Sequence, residues 1–331
     1  MRYIANPPNP YHKYDAEFLG EPPNVKLEVF EETATRTIVT KNNSPDVGFK
    51  YSVNCYRGCQ HGCTYCFARP YHEYLGYGAG TDFETKIVVK VNAPHLLRKE
   101  LCKKSLRGES ISFSFTTDPY LPLEANYELT RKCLQICVEF GNAVGIVTKS
   151  PLVTRDLDVL TKLDAIVYFS IPFLTTEKSK LFEPYAPKPD LRFRAMEELS
   201  KNGVNTGIAI APIIPTYNDS DIPALLQKAR DCGATEAFMT MLRLPTESLQ
   251  TYFVSRLEEK APTKSAKILN HIRRERGGKL NSSEFGNRMK GNTEQWHLTE
   301  KLFELHYRCL GFGRKTIEEK KQIPAQQSLF D

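Results

Sequence analysis

Short β-rich segments alternate with amphipathic helical segments from residue 51 onward, and this alternation restricts the fold more than any other feature. The candidate strands are Tyr51–Asn54, Lys86–Val91, Ile111–Phe115, Val144–Thr148, Ile166–Ser170, Thr206–Ala211 and Ala237–Leu242. The candidate helices are Pro94–Lys103, Leu129–Phe140, Val153–Leu163, Leu191–Asn202, Ile222–Cys232 and Ser248–Glu259. Such alternation predicts βα units and a parallel sheet. The number of units predicts an α/β fold, a partial (β/α)6-type TIM-like barrel with N-terminal and C-terminal extensions.

The segments on either side of this barrel follow different patterns. Residues 1–50 are rich in proline and lack periodicity, so we expect an irregular N-terminal extension. The barrel is predicted over residues 51–260. Residues 261–321 are predicted to be a C-terminal extension with a basic helix, Lys264–Arg276, and a second helix, Glu294–Leu310. The last segment, residues 322–331, is predicted to be a disordered tail.

Membrane insertion and secretion are both disfavoured. No stretch approaches the roughly 20 apolar residues of a membrane span. The N-terminal sequence MRYIANPPNP lacks the apolar core of a signal peptide. We therefore expect a cytoplasmic protein with no membrane partner.

The nine cysteines are distributed unevenly. Cys55, Cys59, Cys63 and Cys66 fall within twelve residues, and the others are scattered along the chain. A disulfide framework would be spread through a small secreted chain, whereas a tight group in a cytosolic chain indicates a metal site. Cys133 and Cys137 lie among apolar residues of a candidate helix and are predicted to be ordinary buried side chains.

The segment Cys59-Gln-His-Gly-Cys63-Thr-Tyr-Cys66 follows the first candidate strand. Iron–sulfur cubanes normally take four cysteines, so three cysteines leave one iron open for chemistry. The alternative is a structural zinc site with Cys55 as the fourth ligand. Zinc cysteines usually come in well-separated pairs, which favours the cluster. Cys55 is then a bystander or a second redox thiol.

A longer resemblance extends from these cysteines. Asn54-Cys-Tyr-Arg-Gly-Cys-Gln-His-Gly-Cys-Thr-Tyr-Cys-Phe-Ala-Arg-Pro70 resembles the spore photoproduct lyase-related branch of the radical S-adenosylmethionine (SAM) superfamily. So do Thr116-Thr-Asp-Pro-Tyr-Leu-Pro-Leu-Glu124, Val147-Thr-Lys-Ser150, Phe169-Ser-Ile-Pro172 and Ala211-Pro-Ile-Ile-Pro215. The resemblance covers about residues 40–313 and is closest to uncharacterised bacterial members of that branch.

The resemblance implies two cofactors and a set of residues that hold them. The cofactors are a [4Fe–4S] cluster, bound by Cys59, Cys63 and Cys66, and SAM. One electron, from a reductase such as flavodoxin or ferredoxin, cleaves SAM and releases a 5′-deoxyadenosyl radical. The implied SAM contacts are Tyr65 and Phe67, which flank the last cysteine, and the strand-end residues Thr117, Asp118, Lys149 and Ser170.

Two departures separate the sequence from the lyase itself. The lyase has a cysteine that donates hydrogen just before its strand-end Thr/Ser-Ser-Asp segment, and Phe115 stands there in this chain. The lyase has two tyrosines beside its last cluster cysteine, where this chain has Tyr65 and Phe67. The resemblance therefore does not imply repair of the same thymine lesion by the same radical relay.

Two features of the C-terminal region are compatible with DNA binding, and the alternatives are a solvated helix surface, which the charge by itself favours, and an inert tail. The net charge is +6, and residues 256–321 contain 16 Lys and Arg against 9 Asp and Glu. Arg273, Arg274 and Arg276 lie near a Gly-rich turn and are candidate phosphate contacts. The tail sequence Gln326-Gln-Ser-Leu-Phe330 resembles the peptide that binds the bacterial DNA sliding clamp. Leu329 and Phe330 would fill an apolar pocket, with Gln326 at its edge.

Three hypotheses remain open at this point. The first is a radical SAM enzyme that acts on DNA in repair and is tethered to the sliding clamp. The second is a radical SAM enzyme that modifies a protein, RNA or small molecule. The third is a metal-binding module without enzyme activity.

Overall fold

The computed structural model describes residues 6–7, 10–11 and 26–313, and its main element is a seven-stranded sheet. The ten strands are β1 (Glu28–Glu32), β2 (Val39–Lys41), β3 (Tyr51–Val53), β4 (Tyr56–Arg57), β5 (Lys86–Lys90), β6 (Ile111–Phe113), β7 (Val144–Thr148), β8 (Ala165–Ser170), β9 (Asn205–Ile213) and β10 (Glu236–Met241). The large sheet has the order β10-β9-β8-β7-β6-β3-β2. Its first six strands are parallel, and β2 joins the edge antiparallel. The sheet is open, so the predicted partial TIM-like barrel is confirmed.

Helices follow most of these strands, as the alternation predicts. They are α1 (Thr81–Thr85), α2 (Ala93–Leu101), α3 (Glu124–Tyr127), α4 (Leu129–Phe140), α5 (Leu157–Leu160), α6 (Thr176–Phe182), α7 (Pro189–Lys201), α8 (Ile222–Asp231), α9 (Glu247–Lys260), α10 (Pro262–Glu275) and α11 (Glu294–Cys309). The core lies between the sheet and the helices, where Ile146, Val167 and Ile208 are fully buried. Cys133 and Cys137 are buried on α4, as predicted. No helix of residues 26–313 is long and apolar enough to cross a bilayer.

Three of the sequence predictions are wrong in detail. The segment predicted as the second barrel strand, β5, instead belongs to a separate sheet of order β1-β5-β4. Strands β1 and β2 lie in the segment predicted to be irregular; β1 is largely exposed and acidic, so it lacks the alternation of a half-buried strand. The helix predicted at Val153–Leu163 is a 3-10 helix, Pro151–Asp156, followed by the short α5.

The C-terminal extension is fastened to the end of β10. The Met241 backbone N–H donates to the Met289 carbonyl (2.9 Å), and the Arg276 guanidinium donates to the carbonyls of Leu242, Asn287 and Arg288 (3.0, 3.1 and 2.9 Å). Helix α11 packs on α8. This extension therefore sets the position of the loop that follows the last barrel strand. The clamp-like sequence Gln326–Phe330 lies outside the described residues.

Candidate active site

The site lies where the parallel strands end. The C-terminal ends of β3, β6, β7 and β8 share one edge of the sheet because these strands are neighbours and parallel. The cysteine loop, Cys59–Cys66, comes after β3 and β4, and Thr117, Lys149 and Ser170 come from the ends of β6, β7 and β8. The fold thus brings the predicted cysteines and polar side chains to the same edge.

The three loop cysteines are free thiols in a mostly buried setting. Cys59 and Cys63 are buried and Cys66 is half-buried. Burial raises the pKa of Cys63 to about 12 and that of Cys59 well above its usual value, with further increases from neighbouring anionic groups. The Asp118 backbone N–H donates a hydrogen bond to Cys59. Thiols held this way become good ligands only when a cation compensates their negative charge, which is the setting a metal cluster provides.

Cys55 has different surroundings. Its Sγ lies 3.8 Å from the Sγ of Cys133, which belongs to α4. Within the described ranges, no three His, Cys, Asp or Glu side chains are close enough to bind one metal ion. Each cysteine of a cubane binds a different iron, so its ligands need not converge on one point. The three loop thiols therefore suit a cluster, and Cys55 packs against α4.

Arg69 stabilises the cysteine loop through hydrogen bonds to the loop backbone. Its side chain is fully buried and donates to the carbonyls of Cys63 (2.8 Å) and Gly62 (2.9 Å), and to Gly80 (2.7 Å). The Glu84 carboxylate pairs with the same guanidinium and accepts a hydrogen bond from Tyr252 (2.7 Å). Gly62 has a φ of +63°, and a Cβ there would lie 2.5 Å from the Tyr185 ring. These contacts therefore stabilise the loop backbone, and Gly62 is needed there.

The Asp118 carboxylate has several partners within the protein. Its Oδ1 accepts from Tyr120 N (2.9 Å) and Thr148 Oγ1 (2.7 Å). Its Oδ2 accepts from Lys149 N (2.7 Å) and lies 3.4 Å from His61 Nδ1. Burial alone would raise the pKa of Asp118, but His61 and these hydrogen bonds lower it to about 2. The Asp118 carboxylate is therefore ionised and held by these protein groups, and its predicted contact with SAM stays a prediction.

Lys149 belongs to a buried group of charges that the sequence reasoning missed. Its ammonium lies 2.9 Å from Ser170 Oγ and 3.6 Å from the Glu183 carboxylate. Glu183 also pairs with Arg192 (2.6 Å) and accepts a hydrogen bond from Tyr65. Burial alone would lower the pKa of Lys149, but the negative charges of Cys63 and Glu183 raise it. Lys149 is therefore a fixed cation beside the cysteine loop.

The segment after β6 shows two further features. Ser114 and Phe115 have φ values of 126° and 80°, a region that side-chain-bearing residues rarely adopt. Phe115 stacks on Phe49 with ring centroids 3.8 Å apart. Thr117 Oγ1 is buried and has no hydrogen-bond partner among the described residues. A buried hydroxyl without a partner is costly, so Thr117 is suited to a bound cofactor.

The sequence model of the Radical SAM superfamily matches residues 53–229, more than half of the chain. The chain belongs to the radical SAM superfamily. Members of this family use a [4Fe–4S] cluster and SAM, so the predicted cofactors are confirmed.

Two uncharacterised proteins are 34% identical to this chain. The protein from Mycobacterium tuberculosis aligns over 213 residues, which are 62% of this chain and 63% of that protein. The protein from Methanocaldococcus jannaschii aligns over 197 residues, which are 59% of this chain and 71% of that protein. The match thus spans less than two thirds of the length of the mycobacterial relative.

Solved structures of spore photoproduct lyase share the fold. One variant, solved with dinucleoside spore photoproduct, has a TM-score of 0.65 and 18% identity, and the match covers 92% of this chain and 88% of the lyase. Another, solved with AdoMet and the same photoproduct, has a TM-score of 0.61 and 16% identity, and covers 90% and 86%. At these identities the similarity shows a common fold.

The roles of the individual site residues stay predictions in this radical SAM chain. Four buried residues were not identified from the sequence: His61, Arg69, Glu183 and Arg192. His61 and Arg69 stand inside the quoted motif, where His61 looks like a spacer between two cysteines and Arg69 follows the last cysteine by three residues. Glu183 and Arg192 lie outside every motif, and their buried ion pair is seen only in the structure. Phe67 is partly exposed beside Cys66, and Arg243 lies over its ring.

The three candidate phosphate contacts differ in exposure. Arg273 and Arg274 are exposed at the end of α10. Arg276 is buried, and its guanidinium is used by three backbone carbonyls. The structure therefore removes Arg276 as a phosphate contact, because its charge is directed into the protein.

Replacing Arg69 tests how the loop is held. Arg69→Met leaves the Glu84 charge and two loop carbonyls without their buried partner, which should cost about 3–5 kcal/mol of folding free energy. The amount of iron retained after anaerobic reconstitution should decrease together with the folding free energy. The control is Arg98→Met, which removes an exposed pair with Glu139 and should leave Tm and iron unchanged. Equal Tm and iron content in the two variants would contradict the role of Arg69.

Proposed function

We propose that this radical SAM enzyme binds its [4Fe–4S] cluster through Cys59, Cys63 and Cys66 and modifies DNA. The cofactors together supply a 5′-deoxyadenosyl radical. The observation that supports the cluster assignment is the meeting of three free thiols with Lys149, Ser170 and the unpartnered Thr117 hydroxyl at one sheet edge.

The chain's own residues would bind and orient SAM. Lys149 is a fixed cation that can donate hydrogen bonds to the methionyl carboxylate while Ser170 and Glu183 hold its ammonium in place. Thr117 offers a buried hydroxyl. Asp118 acts indirectly, because it fixes the backbone of Lys149 and the His61 ring of the cysteine loop. The electron would come from a flavodoxin or ferredoxin.

Three observations support DNA as the substrate. A cavity of about 660 Å³ in the C-terminal extension is lined by Arg273, Lys279 and the polar residues Asn281, Ser282 and Ser283. The chain has an excess of positive charge, +6. Spore photoproduct lyase, which shares the fold, was solved with a dinucleoside photoproduct. Because Phe115 replaces the lyase's hydrogen donor, we propose a different nucleotide target.

The test measures 5′-deoxyadenosine in anaerobically reconstituted, reduced protein. The proposal predicts that UV-irradiated duplex DNA increases its formation and that the digested DNA contains a new or restored nucleoside by mass spectrometry. RNA and undamaged DNA of equal concentration are the controls. Formation of 5′-deoxyadenosine at the same rate with every nucleic acid would contradict the DNA substrate and favour a protein, RNA or small-molecule substrate.

We further propose that Gln326, Leu329 and Phe330 dock on the DNA sliding clamp. A short peptide has few contacts and loses chain entropy on binding, so we expect an affinity of about 1 μM. Truncation after Pro324 should abolish clamp binding by calorimetry, as should Phe330→Ala, because the apolar side chains fill the pocket. Ser328→Ala is the matched control and should bind normally. The proposal fails if the intact protein does not bind the clamp at about tenfold higher concentration.

A further inference from the structure

Arg243 lies at the same sheet edge as the cysteine loop, although no sequence motif includes it. It is the second residue after β10, whose C-terminal end faces the same way as that of β3. Its guanidinium carbon lies 5.8 Å from the ring centroid of Phe67, which directly follows Cys66. Arg243 therefore lies beside the cysteine loop.

The guanidinium of Arg243 has no polar partner in the described part of the chain. Its Nε is buried without a hydrogen bond, and no ion pair of Arg243 occurs within residues 26–313. Burial lowers the pKa of Arg243, and the positive charge of Arg288 lowers it further. An unsatisfied, partly buried cation costs folding free energy. A bound ligand with a negative charge would supply the partner that the Arg243 guanidinium lacks.

The carboxylate that acts on Arg243, that of Asp46, is used by other groups. Asp46 accepts hydrogen bonds from Arg288 and from the Gly286 backbone N–H (2.7 Å). Arg243 thus lies near a second arginine, and the Asp46 carboxylate is already hydrogen-bonded to other donors.

Exposed aromatic rings surround these two arginines. Phe67 is 38% exposed, Tyr71 is 50% exposed and Phe285 is 58% exposed. The Tyr71 phenol is close enough to affect the pKa of Arg243, and Arg288 lies 4.3 Å from the Phe285 ring centroid. Arginines interleaved with exposed rings are the arrangement that binds a single nucleic-acid strand, with phosphates on the cations and bases on the rings.

The backbone on both sides of Arg243 is held in place. The Leu242 carbonyl accepts from Arg276 (3.0 Å), and the Leu244 backbone N–H donates to Asn281 Oδ1 (3.3 Å). Arg276 and Asn281 also line the cavity of the C-terminal extension. The same contacts therefore fix Arg243 and place it next to that basic cavity.

We propose that Arg243 binds a backbone phosphate of a nucleotide strand and holds the target nucleotide beside the cysteine loop, with Phe67 and Tyr71 against its bases. This inference rests on the proposed DNA substrate and names the residue that positions it. A base must leave the duplex stack before a radical enzyme can reach it, so the ligand is an unpaired stretch of strand.

The experiment measures strand binding by the full-length, cluster-reconstituted protein. The probe is a fluorescein-labelled oligothymidine of about 12 nucleotides, followed by anaerobic fluorescence anisotropy. Arg243→Gln should weaken binding about tenfold and reduce the slope of log affinity against log salt by about 0.7, the value for one phosphate contact. Arg243→Lys keeps the charge and should retain most of that slope. The control Arg194→Gln removes an exposed charge on the outer helix α7 and should bind within about twofold of the parent protein.

Each of the remaining outcomes contradicts a different part of the proposal. If the parent protein and Arg243→Gln bind the oligonucleotide equally, the role of Arg243 fails and the DNA substrate stands. If the parent protein binds no oligonucleotide, the DNA substrate fails as well. If Arg243→Gln weakens binding of an oligoglutamate peptide but not binding of the oligonucleotide, the result would indicate a protein substrate. Loss of the cluster absorbance in Arg243→Gln would make the residue structural.

Discussion

The site depends on one buried cation, the Arg69 guanidinium beneath the cysteine loop. A buried charge is tolerated only when it is fully paired and hydrogen-bonded, and Arg69 meets this condition with Glu84 and four backbone carbonyls. Two of those carbonyls belong to Gly62 and Cys63. Arg69 therefore stabilises the backbone of the loop that is proposed to bind the cluster.

Two further polar groups connect this loop to the strand ends. Asp118 joins His61 in the loop to the backbone of Lys149 after β7. Glu183 joins Tyr65 in the loop to Lys149 and to Arg192 on α7. Both carboxylates are buried, and the cations and donors around them keep them ionised despite burial. The position of Lys149 is thus set from two sides.

Most of the fold could be predicted from periodicity, because barrel strands and their helices have opposite and regular patterns. Val144–Thr148 and Leu129–Phe140 have the bounds that the sequence predicts. Strand β1 was missed because it is exposed and charged, and β5 was assigned to the wrong sheet because a strand's pattern does not name its neighbours. The pairing of buried side chains also could not be predicted from the sequence. Nothing in the sequence showed that Glu183 would reach Tyr65 or that Arg243 would lack a partner.

The central claim is that three cysteines hold the cluster and leave one iron for SAM. Electron paramagnetic resonance of the reduced, reconstituted protein tests it directly, with and without SAM, in the parent chain and in Cys55→Ala. If SAM binds the open iron, as proposed, both proteins should give a [4Fe–4S]⁺ signal that changes shape when SAM is added. A signal that SAM leaves unchanged, or one that disappears in Cys55→Ala, would contradict it.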